Sequence, residues 1–332
     1  MILYFAAVFS GLIILLWSAD QFVGGAAKLA RHLGMSPLLI GMIIVGFGTS
    51  APEMVVSASA SMQGNPGLAL GNAYGSNIAN IGLILGITSL ISPIVVHSAI
   101  LKKELPFLTG ITTLAIFLLL DGILNRYDAW IFMIIFFGFM GWSVWVGRKS
   151  PADTLADEVS ASELNSSKNQ TLKRNLFDIF VGLLLLISSS KILVWGAVEI
   201  AKTAGVSDLM IGLTVVAIGT SLPELASSVA AIKRKETDIA VGNVIGSNLF
   251  NTLIVVGIAG AIMPFKIPDQ VLSRDMLTMG ILTISLFIFG YGFKRTGRIS
   301  RIEGAILLVA YLIYTGIVIA QAINQQVPPT PN

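Results

Sequence analysis

Long apolar segments separated by short polar loops are the main pattern along this chain of 332 residues. Stretches of about 20 apolar residues are long enough to cross a bilayer as α-helices. Proline and glycine between the stretches indicate where helices stop. Ten spans are therefore predicted, at residues 2–30, 36–62, 66–91, 104–120, 128–147, 175–204, 207–232, 237–263, 273–292 and 302–321. The first and sixth are the longest, so they are expected to be tilted or partly interfacial.

Composition supports an all-α integral membrane protein. The chain is 55% hydrophobic and only 12% charged, with a mean hydropathy of +0.84. Its one sizeable polar segment, 148–174, separates two apolar halves and is expected to be a cytoplasmic linker. A short extracytoplasmic tail, 322–332, is expected after the last span. The first span lacks the basic start and small-residue cleavage site of a signal peptide, so it is expected to be retained.

An internal repeat divides the chain. The sequence Gly-Thr-Ser-x-Pro-Glu at 48–53 returns 171 residues later at 219–224, and Gly-Asn-x-x-Gly-Ser-Asn at 71–77 returns at 242–248 with the same offset. Across 41–54 with 71–80, 13 of 24 positions match their partners without a gap. The chain is therefore a duplication, with 1–147 as the first membrane repeat and 175–321 as the second.

The basic residues predict the orientation in the membrane. Of the 21 lysines and arginines, sixteen fall in loops that would lie on one side of the membrane and four on the other. By the positive-inside rule, both termini are extracytoplasmic and the linker is cytoplasmic. Five spans per repeat is an odd number, so the two repeats are inverted. Inverted repeats place a substrate site between them near the bilayer midplane, and such sites use discontinuous helices.

Glu53 and Glu224 are the strongest functional candidates. A charge at membrane depth costs about 2.5–3.5 kcal/mol on insertion scales, so it requires a partner, water or an ion. The structural alternative is that each glutamate pairs with a base for packing. Lys191 is the one basic residue deep within a predicted span, away from its ends, and one lysine cannot neutralise two glutamates. We therefore interpret both glutamates as ion ligands.

Neutral oxygens accompany the two carboxylates in duplicate. The candidates are Thr49, Ser50, Ser76, Asn80, Thr220, Ser221, Ser247 and Asn251. The hydroxyls beside each glutamate could instead bond their own helix four residues back. The Ser and Asn pairs are spaced i, i+4 on one helix face, and their alternative role is helix packing. The glycines of the second motif, Gly71, Gly75, Gly242 and Gly246, are assigned mainly to close helix approach.

The ligand set favours a hard cation. Two carboxylates among neutral oxygens balance one Ca²⁺, and Na⁺ can occupy the same oxygens when Ca²⁺ leaves. Mg²⁺ is less natural because it dehydrates reluctantly. A transition metal would require histidine or cysteine, whereas the chain has no cysteine and only two histidines, both near predicted membrane edges. No cofactor is expected, with Ca²⁺ and Na⁺ as transported ions.

The doubled motifs resemble the α-repeats of the calcium/cation antiporter superfamily, and the chain looks most like its prokaryotic sodium/calcium exchangers. The resemblance implies ten helices, four central ion sites and electrogenic exchange of several Na⁺ for one Ca²⁺. It makes Glu53 and Glu224 the shared ligands, completed by the eight neutral residues. Some members carry aspartate at the position of Asn251, so this chain has two central carboxylates instead of three. The difference argues against potassium dependence and leaves the stoichiometry open.

Three alternatives remain open at this stage. Proton/calcium exchangers share the implied fold, which keeps H⁺ as an alternative coupling ion. An intramembrane hydrolase could use the two glutamates as acid and base, although Ser50 has no histidine to activate it. A nonconducting scaffold is the third, and the duplicated acids argue against it. We expect no enzymatic activity and a monomer in the inner (plasma) membrane. Its partners would be Ca²⁺, Na⁺ and lipid, with no nucleic acid despite the net charge of +3.

A second pair of charges occupies equivalent positions in the two longest spans. Asp20 and Lys191 are separated by the same offset of 171 residues. If the two helices pack side by side, the pair could form an ion bridge that holds one access state. Alternatively, Lys191 extends to the outer surface while Asp20 faces cytoplasmic water.

Overall fold

The computed structural model describes residues 1–64, 66–96, 103–149, 172–205, 217–290 and 297–326, and these residues are almost entirely helical. In chain order the helical segments are α1 Ile2–Leu33, α2 Pro37–Met62, α3 Pro66–Ile91, α4 Leu105–Leu119, α5 Arg126–Lys149, α6 Leu172–Thr203, α7 Ala217–Thr220, α8 Leu222–Lys233, α9 Thr237–Ile262, α10 Val271–Gly290 and α11 Arg301–Gln326. Eight of them are long and apolar enough to cross a membrane. The chain is therefore a multi-pass, all-helical membrane protein.

The predicted spans match these helices closely, with three qualifications. α4, at 15 residues, is shorter than the other spans. The seventh predicted span, 207–232, is described only from residue 217, so the total of ten remains a prediction. α11 continues to Gln326, so the expected tail 322–332 begins as helix and its remainder lies outside the described residues. Most of the predicted linker, 150–171, also lies outside them.

The two longest helices, α1 and α6, pack against each other with 32 residues each. At about 1.5 Å per residue each is longer than the roughly 30 Å hydrocarbon layer. Glycines bring their backbones together: a Cβ on Gly11 would lie 2.9 Å from Leu193, and one on Gly182 would lie 2.8 Å from the backbone of Phe22. Gly11 and Gly182 are equivalent residues of the two repeats, and so are Phe22 and Leu193. Each contact is therefore the counterpart of the other, and the two helices pack with internal symmetry.

α3 and α9 are the most buried of the long helices. The glycines of the second motif allow α9 to approach α2: a Cβ on Gly246 would lie 2.5 Å from the carbonyl oxygen of Met42. Gly242 lies equally tightly against the carbonyl of Leu38. The prediction of close approach is confirmed at these two positions, since small residues let membrane helices come together. It is wrong at Gly71 and Gly75, where no described residue lies within 4 Å of a Cβ built on the glycine.

Two short antiparallel sheets join the two halves of the chain at its loops. β1, Ile94–Val96, pairs with β4, Gly297–Ile299. β2, Ile123–Leu124, pairs with β3, Phe265–Lys266. Each sheet contains one strand from each half, so the repeats are connected through their loops as well as through their helices.

Reciprocal capping fixes the start of one helix in each half. Before α5, the Asn125 side chain accepts from the Asp128 amide, and the Asp128 carboxylate accepts from the Asn125 amide, both at 3.1 Å. Before α11, the Glu303 carboxylate accepts from the Ser300 amide at 2.6 Å. Such boxes satisfy amides at the helix start that have no helical acceptor.

The ion bridge considered between Asp20 and Lys191 is not formed. Asp20 accepts two hydrogen bonds from Arg234, at 2.6 and 2.7 Å, at the end of α8. Nearby, Arg31 is paired with Glu236 at 2.7 Å, while Lys191 is exposed on α6. The equal spacing in the sequence did not predict the partner of Asp20, because α1 packs against α8 as well as α6.

Arg234 should therefore be coupled energetically to Asp20. In a double-mutant cycle of Asp20→Asn and Arg234→Gln, thermal unfolding in detergent is expected to give about 0.5 kcal/mol of coupling, because both groups are partly exposed. The cycle with Lys191→Met in place of Arg234→Gln is the matched control and should be additive. Coupling confined to the Lys191 cycle would contradict this pairing.

Candidate functional site

Three predicted ligand residues lie on α2. Thr49, Ser50 and Glu53 are completely buried. The α-helical part of α2, Gly46–Met62, continues through Pro52 without a break. Because proline has no amide hydrogen, the carbonyl four residues earlier loses its usual helical donor. In the first half the motif therefore sits in a helix without a break, whose irregularities are this missing bond and a π-helical turn at Gly41–Val45 just before it.

The equivalent segment of the second half is interrupted. α7 ends at Thr220, α8 begins at Leu222, and Ser221 between them has φ −91° and ψ 5°. Glu224 lies in the first turn of α8, where free backbone amides favour negative charge. Ser221 and Glu224 are buried and Thr220 is half-buried. A discontinuous helix was predicted for both halves, and the described residues contain it in the second.

The remaining candidates lie on α3 and α9. Ser76, Asn80, Ser247 and Asn251 are all buried. Each asparagine starts a π-helical turn, Asn80–Leu85 in α3 and Asn251–Val255 in α9. These widened turns occur at equivalent places in both halves, and π-turns inside α-helices are frequent at functional sites. The hydrophobic pattern gave no indication of them.

Polar contacts connect the two halves at this depth. The Thr49 hydroxyl donates to Asn243 Oδ1 at 3.1 Å and lies 3.4 Å from Ser247 Oγ. The Asn80 amide donates to Asn248 Oδ1 at 2.9 Å. The motifs of both repeats therefore meet in one buried polar cluster.

Many oxygens of this cluster have no hydrogen-bond partner among the described residues. The buried side-chain atoms concerned are Ser50 Oγ, Glu53 Oε1 and Oε2, Asn80 Oδ1, Ser221 Oγ, Glu224 Oε2, and Asn251 Oδ1 and Nδ2. Buried carboxylate oxygens without donors are costly unless a cation or water satisfies them. The packing alternative for Glu53, a bond to lysine or arginine, is not observed in the described structure.

The Thr49 hydroxyl can donate its one hydrogen to its own helix in place of Asn243. Its hydroxyl lies 3.1 Å from the Val45 carbonyl oxygen, four residues back. A hydroxyl has one hydrogen and two lone pairs, so this bond leaves acceptor capacity for a cation. The two interpretations of Thr49 are therefore compatible.

Several polar residues of the site were missing from the predicted set. Asn243 donates to the Glu224 carbonyl at 3.2 Å, and Asn72 donates to the Glu53 carbonyl at 3.3 Å. Asn77 donates to Thr252 Oγ1 at 2.8 Å. The signal was available: Asn72 and Asn243 occupy the second position of the repeated Gly-Asn-x-x-Gly-Ser-Asn motif, yet only later positions were selected.

Comparison with known protein families identifies the family of this chain. The model of the family described as "Sodium/calcium exchanger protein" matches residues 3–145 and 175–320. The chain belongs to this family. The matched segments cover both repeats and leave out the polar linker, so membership rests on the parts of the chain that contain the site. The matching family and the matching solved structures are exchangers, which are transporters and not enzymes, so membership supports cation/Ca²⁺ antiport.

Relatives match along nearly their whole length. CaxA of Alkalimonas amylolytica is 44% identical over 307 residues, covering 92% of this chain and 96% of that protein. The inner membrane protein YrbG of Escherichia coli K12 is 36% identical, covering 95% and 96%. Among solved structures, the sodium-calcium exchanger NCX_Mj soaked without Na⁺ and Ca²⁺ superposes with a TM-score of 0.81 at 31% identity, covering 95% of this chain and 98% of that chain. The fold of this family member is thus the fold of an exchanger.

Proposed function

We propose that the protein is a secondary active antiporter that exchanges Na⁺ for Ca²⁺ by alternating access. Glu53, Glu224 and the neutral oxygens of both repeats would bind the ions. The observation that carries the proposal is a pair of buried carboxylates in which both oxygens of Glu53 and Oε2 of Glu224 lack donors in the described structure. Two negative charges match one Ca²⁺, and the surrounding hydroxyl and amide oxygens are the ligands that Ca²⁺ and Na⁺ prefer.

The proposed architecture is two inverted repeats of five spans. The symmetric glycine contacts of α1 and α6 support it, as do the π-turns at Asn80 and Asn251. The two sheets support it as well, because each pairs a strand of the first half with a strand of the second. With an odd number of spans per repeat, both termini would be extracytoplasmic and 148–174 cytoplasmic. Exchange of several Na⁺ for one Ca²⁺ would then move net charge across the membrane.

Uptake of ⁴⁵Ca²⁺ into proteoliposomes tests the exchange directly. Vesicles loaded with Na⁺ and diluted into Na⁺-free buffer should accumulate ⁴⁵Ca²⁺, whereas vesicles without a Na⁺ gradient should not. A K⁺ diffusion potential, positive inside, should speed the uptake if more than two Na⁺ leave per Ca²⁺, because net positive charge then leaves the vesicle in each cycle. Uptake driven by a pH gradient and indifferent to Na⁺ would instead support the H⁺/Ca²⁺ alternative.

Asn251 offers a test of ion selectivity. Its side chain is fully buried with both polar atoms unpaired in the described structure, and Asn251→Asp would add a third carboxylate. A divalent ion gains twice as much from an added charge as a monovalent ion. We expect about tenfold more Na⁺ to be needed to displace ⁴⁵Ca²⁺ from the purified variant. Asn175→Asp, at a buried asparagine on α6, is the matched control. If Na⁺ displaces ⁴⁵Ca²⁺ from Asn251→Asp at the same concentration as from the wild type, Asn251 does not belong to the site.

A further inference from the structure

One asparagine of the site contacts both repeats. Asn243 on α9 is completely buried. Its Nδ2 lies 3.2 Å from the Glu224 carbonyl oxygen, 3.2 Å from Ser227 Oγ and 2.9 Å from Ser228 Oγ. All three acceptors are on α8, just after the helix interruption. The amide group therefore holds the start of α8, and with it the backbone of Glu224, against α9.

The other end of the same side chain binds the first repeat. Asn243 Oδ1 lies 3.1 Å from Thr49 Oγ1 on α2. Thr49 has one hydroxyl hydrogen. Its two shortest possible acceptors are Asn243 Oδ1 and the Val45 carbonyl oxygen, both at 3.1 Å, and the Gly46 carbonyl oxygen and Ser247 Oγ are farther away at 3.4 Å. The choice of acceptor determines where the hydroxyl lone pairs point. A Thr49 oxygen that binds a cation must direct its hydrogen away from the ion.

We propose that Asn243 is a positioning residue that orients the Thr49 hydroxyl and links it to the Glu224 backbone, so that oxygens of the two repeats bind the cation as one unit. The inference rests on the proposed function, in which Thr49 and Glu224 are ion ligands. It adds a residue whose effect on ion affinity passes through Thr49. Because the network is buried, its hydrogen bonds are stronger than equivalent bonds in water.

The first repeat supplies a matched comparison. Asn72 occupies the equivalent position on α3 and donates to the Glu53 carbonyl at 3.3 Å and to Ser57 Oγ at 3.2 Å. Within the described residues, the hydrogen bonds of Asn72 stay in the first repeat. Asn72→Ala therefore removes the bond from an asparagine to a glutamate carbonyl without removing a bond to Thr49.

Equilibrium ⁴⁵Ca²⁺ binding to the purified full-length protein tests the link through a double-mutant cycle. Asn243→Ala and Thr49→Val should each weaken binding about tenfold, the size expected for one buried hydrogen bond. The double variant should be weakened by less than the product of the two single effects, because both changes remove the contact between Asn243 and Thr49. Asn72→Ala combined with Thr49→Val should be additive. Thr49→Ser keeps the hydroxyl and should bind nearly as well as the wild type.

Thermal unfolding and gel filtration establish that each variant is folded before its affinity is compared. If Asn243→Ala does not fold, Asn243→Leu preserves the volume without the amide, and the same non-additivity with Thr49→Val is expected. Additive effects of Asn243 and Thr49 on a wild type that binds Ca²⁺ would overturn this inference alone. A folded wild type that does not bind ⁴⁵Ca²⁺ would overturn the proposed function and remove the ion site on which the inference depends.

Discussion

Replacing Glu53 by glutamine is expected to abolish Na⁺-driven ⁴⁵Ca²⁺ uptake, and Glu224→Gln should do the same. Glutamine preserves the shape of each side chain but leaves one negative charge to balance a divalent ion. Two unit charges 4 Å apart attract by about 4 kcal/mol at an effective dielectric constant of 20. That loss corresponds to roughly a thousandfold weaker binding. Uptake by proteoliposomes of each variant, compared with the wild type, measures the effect.

The same variants distinguish loss of function from loss of fold. Without a bound ion, the oxygens of Glu53 are buried and unpaired in the described structure, so removal of the charge should leave the thermal stability of the ion-free protein unchanged or higher. Glu199→Gln is the control, since Glu199 pairs with Lys202 at the end of α6, away from the site. Exchange at the wild-type rate by either site variant would contradict the shared-site proposal.

Gly246→Val should strongly destabilise the protein. Its Cβ would lie 2.5 Å from the Met42 carbonyl oxygen and 2.7 Å from Met42 Cα, and a backbone cannot move aside as a flexible side chain can. Forced overpacking typically costs about 1–3 kcal/mol and sometimes more. The variant also separates α9 from α2, the two helices that bring Asn243 to Thr49. Thermal unfolding in detergent should show a decrease of about 5–10 °C, together with weakened ⁴⁵Ca²⁺ binding.

A second glycine controls for the substitution itself. Gly138 lies on the exposed side of α5, and no described residue lies within 4 Å of a Cβ built there. Gly138→Val should therefore unfold close to the wild-type temperature. Equal effects at the two glycines would mean that contact between α9 and α2 is not what Gly246 provides.

The helices were predictable because a long stretch of high hydropathy indicates a segment that is surrounded by lipid. Long apolar stretches located α1, α3 and α9 within a few residues, since each must satisfy its backbone internally in the bilayer. The glutamates were predictable for the same reason: an acid at membrane depth requires a compensating partner. These two signals depend on the environment of a residue, and the linear sequence carries that information.

Contacts between distant segments could not be predicted in the same way. The bond from Arg234 to Asp20 depends on how α8 packs on α1, and equal spacing in the two repeats offered only Lys191 or water as the partner of Asp20. The π-turn at Asn251 depends on local packing, because its residues have no distinctive composition. The link between Asn243 and Thr49 required the three-dimensional arrangement of two glycine-rich helices. The hydrophobic pattern of the sequence indicates which residues are buried, whereas the bonding partners of those residues follow from how the helices pack.

The two small sheets can form only late in the synthesis of the chain. Each pairs a strand of the first half with one of the second, so the β1–β4 sheet can form only after Gly297–Ile299 has been made. The hydrogen bond of Thr49 to Asn243 likewise cannot form until Asn243, 194 residues later in the chain, has been made. During translation the first half therefore resides in the bilayer without these contacts. Glu53 therefore enters the membrane before the second half of its site exists, at the cost of an acid without its partners.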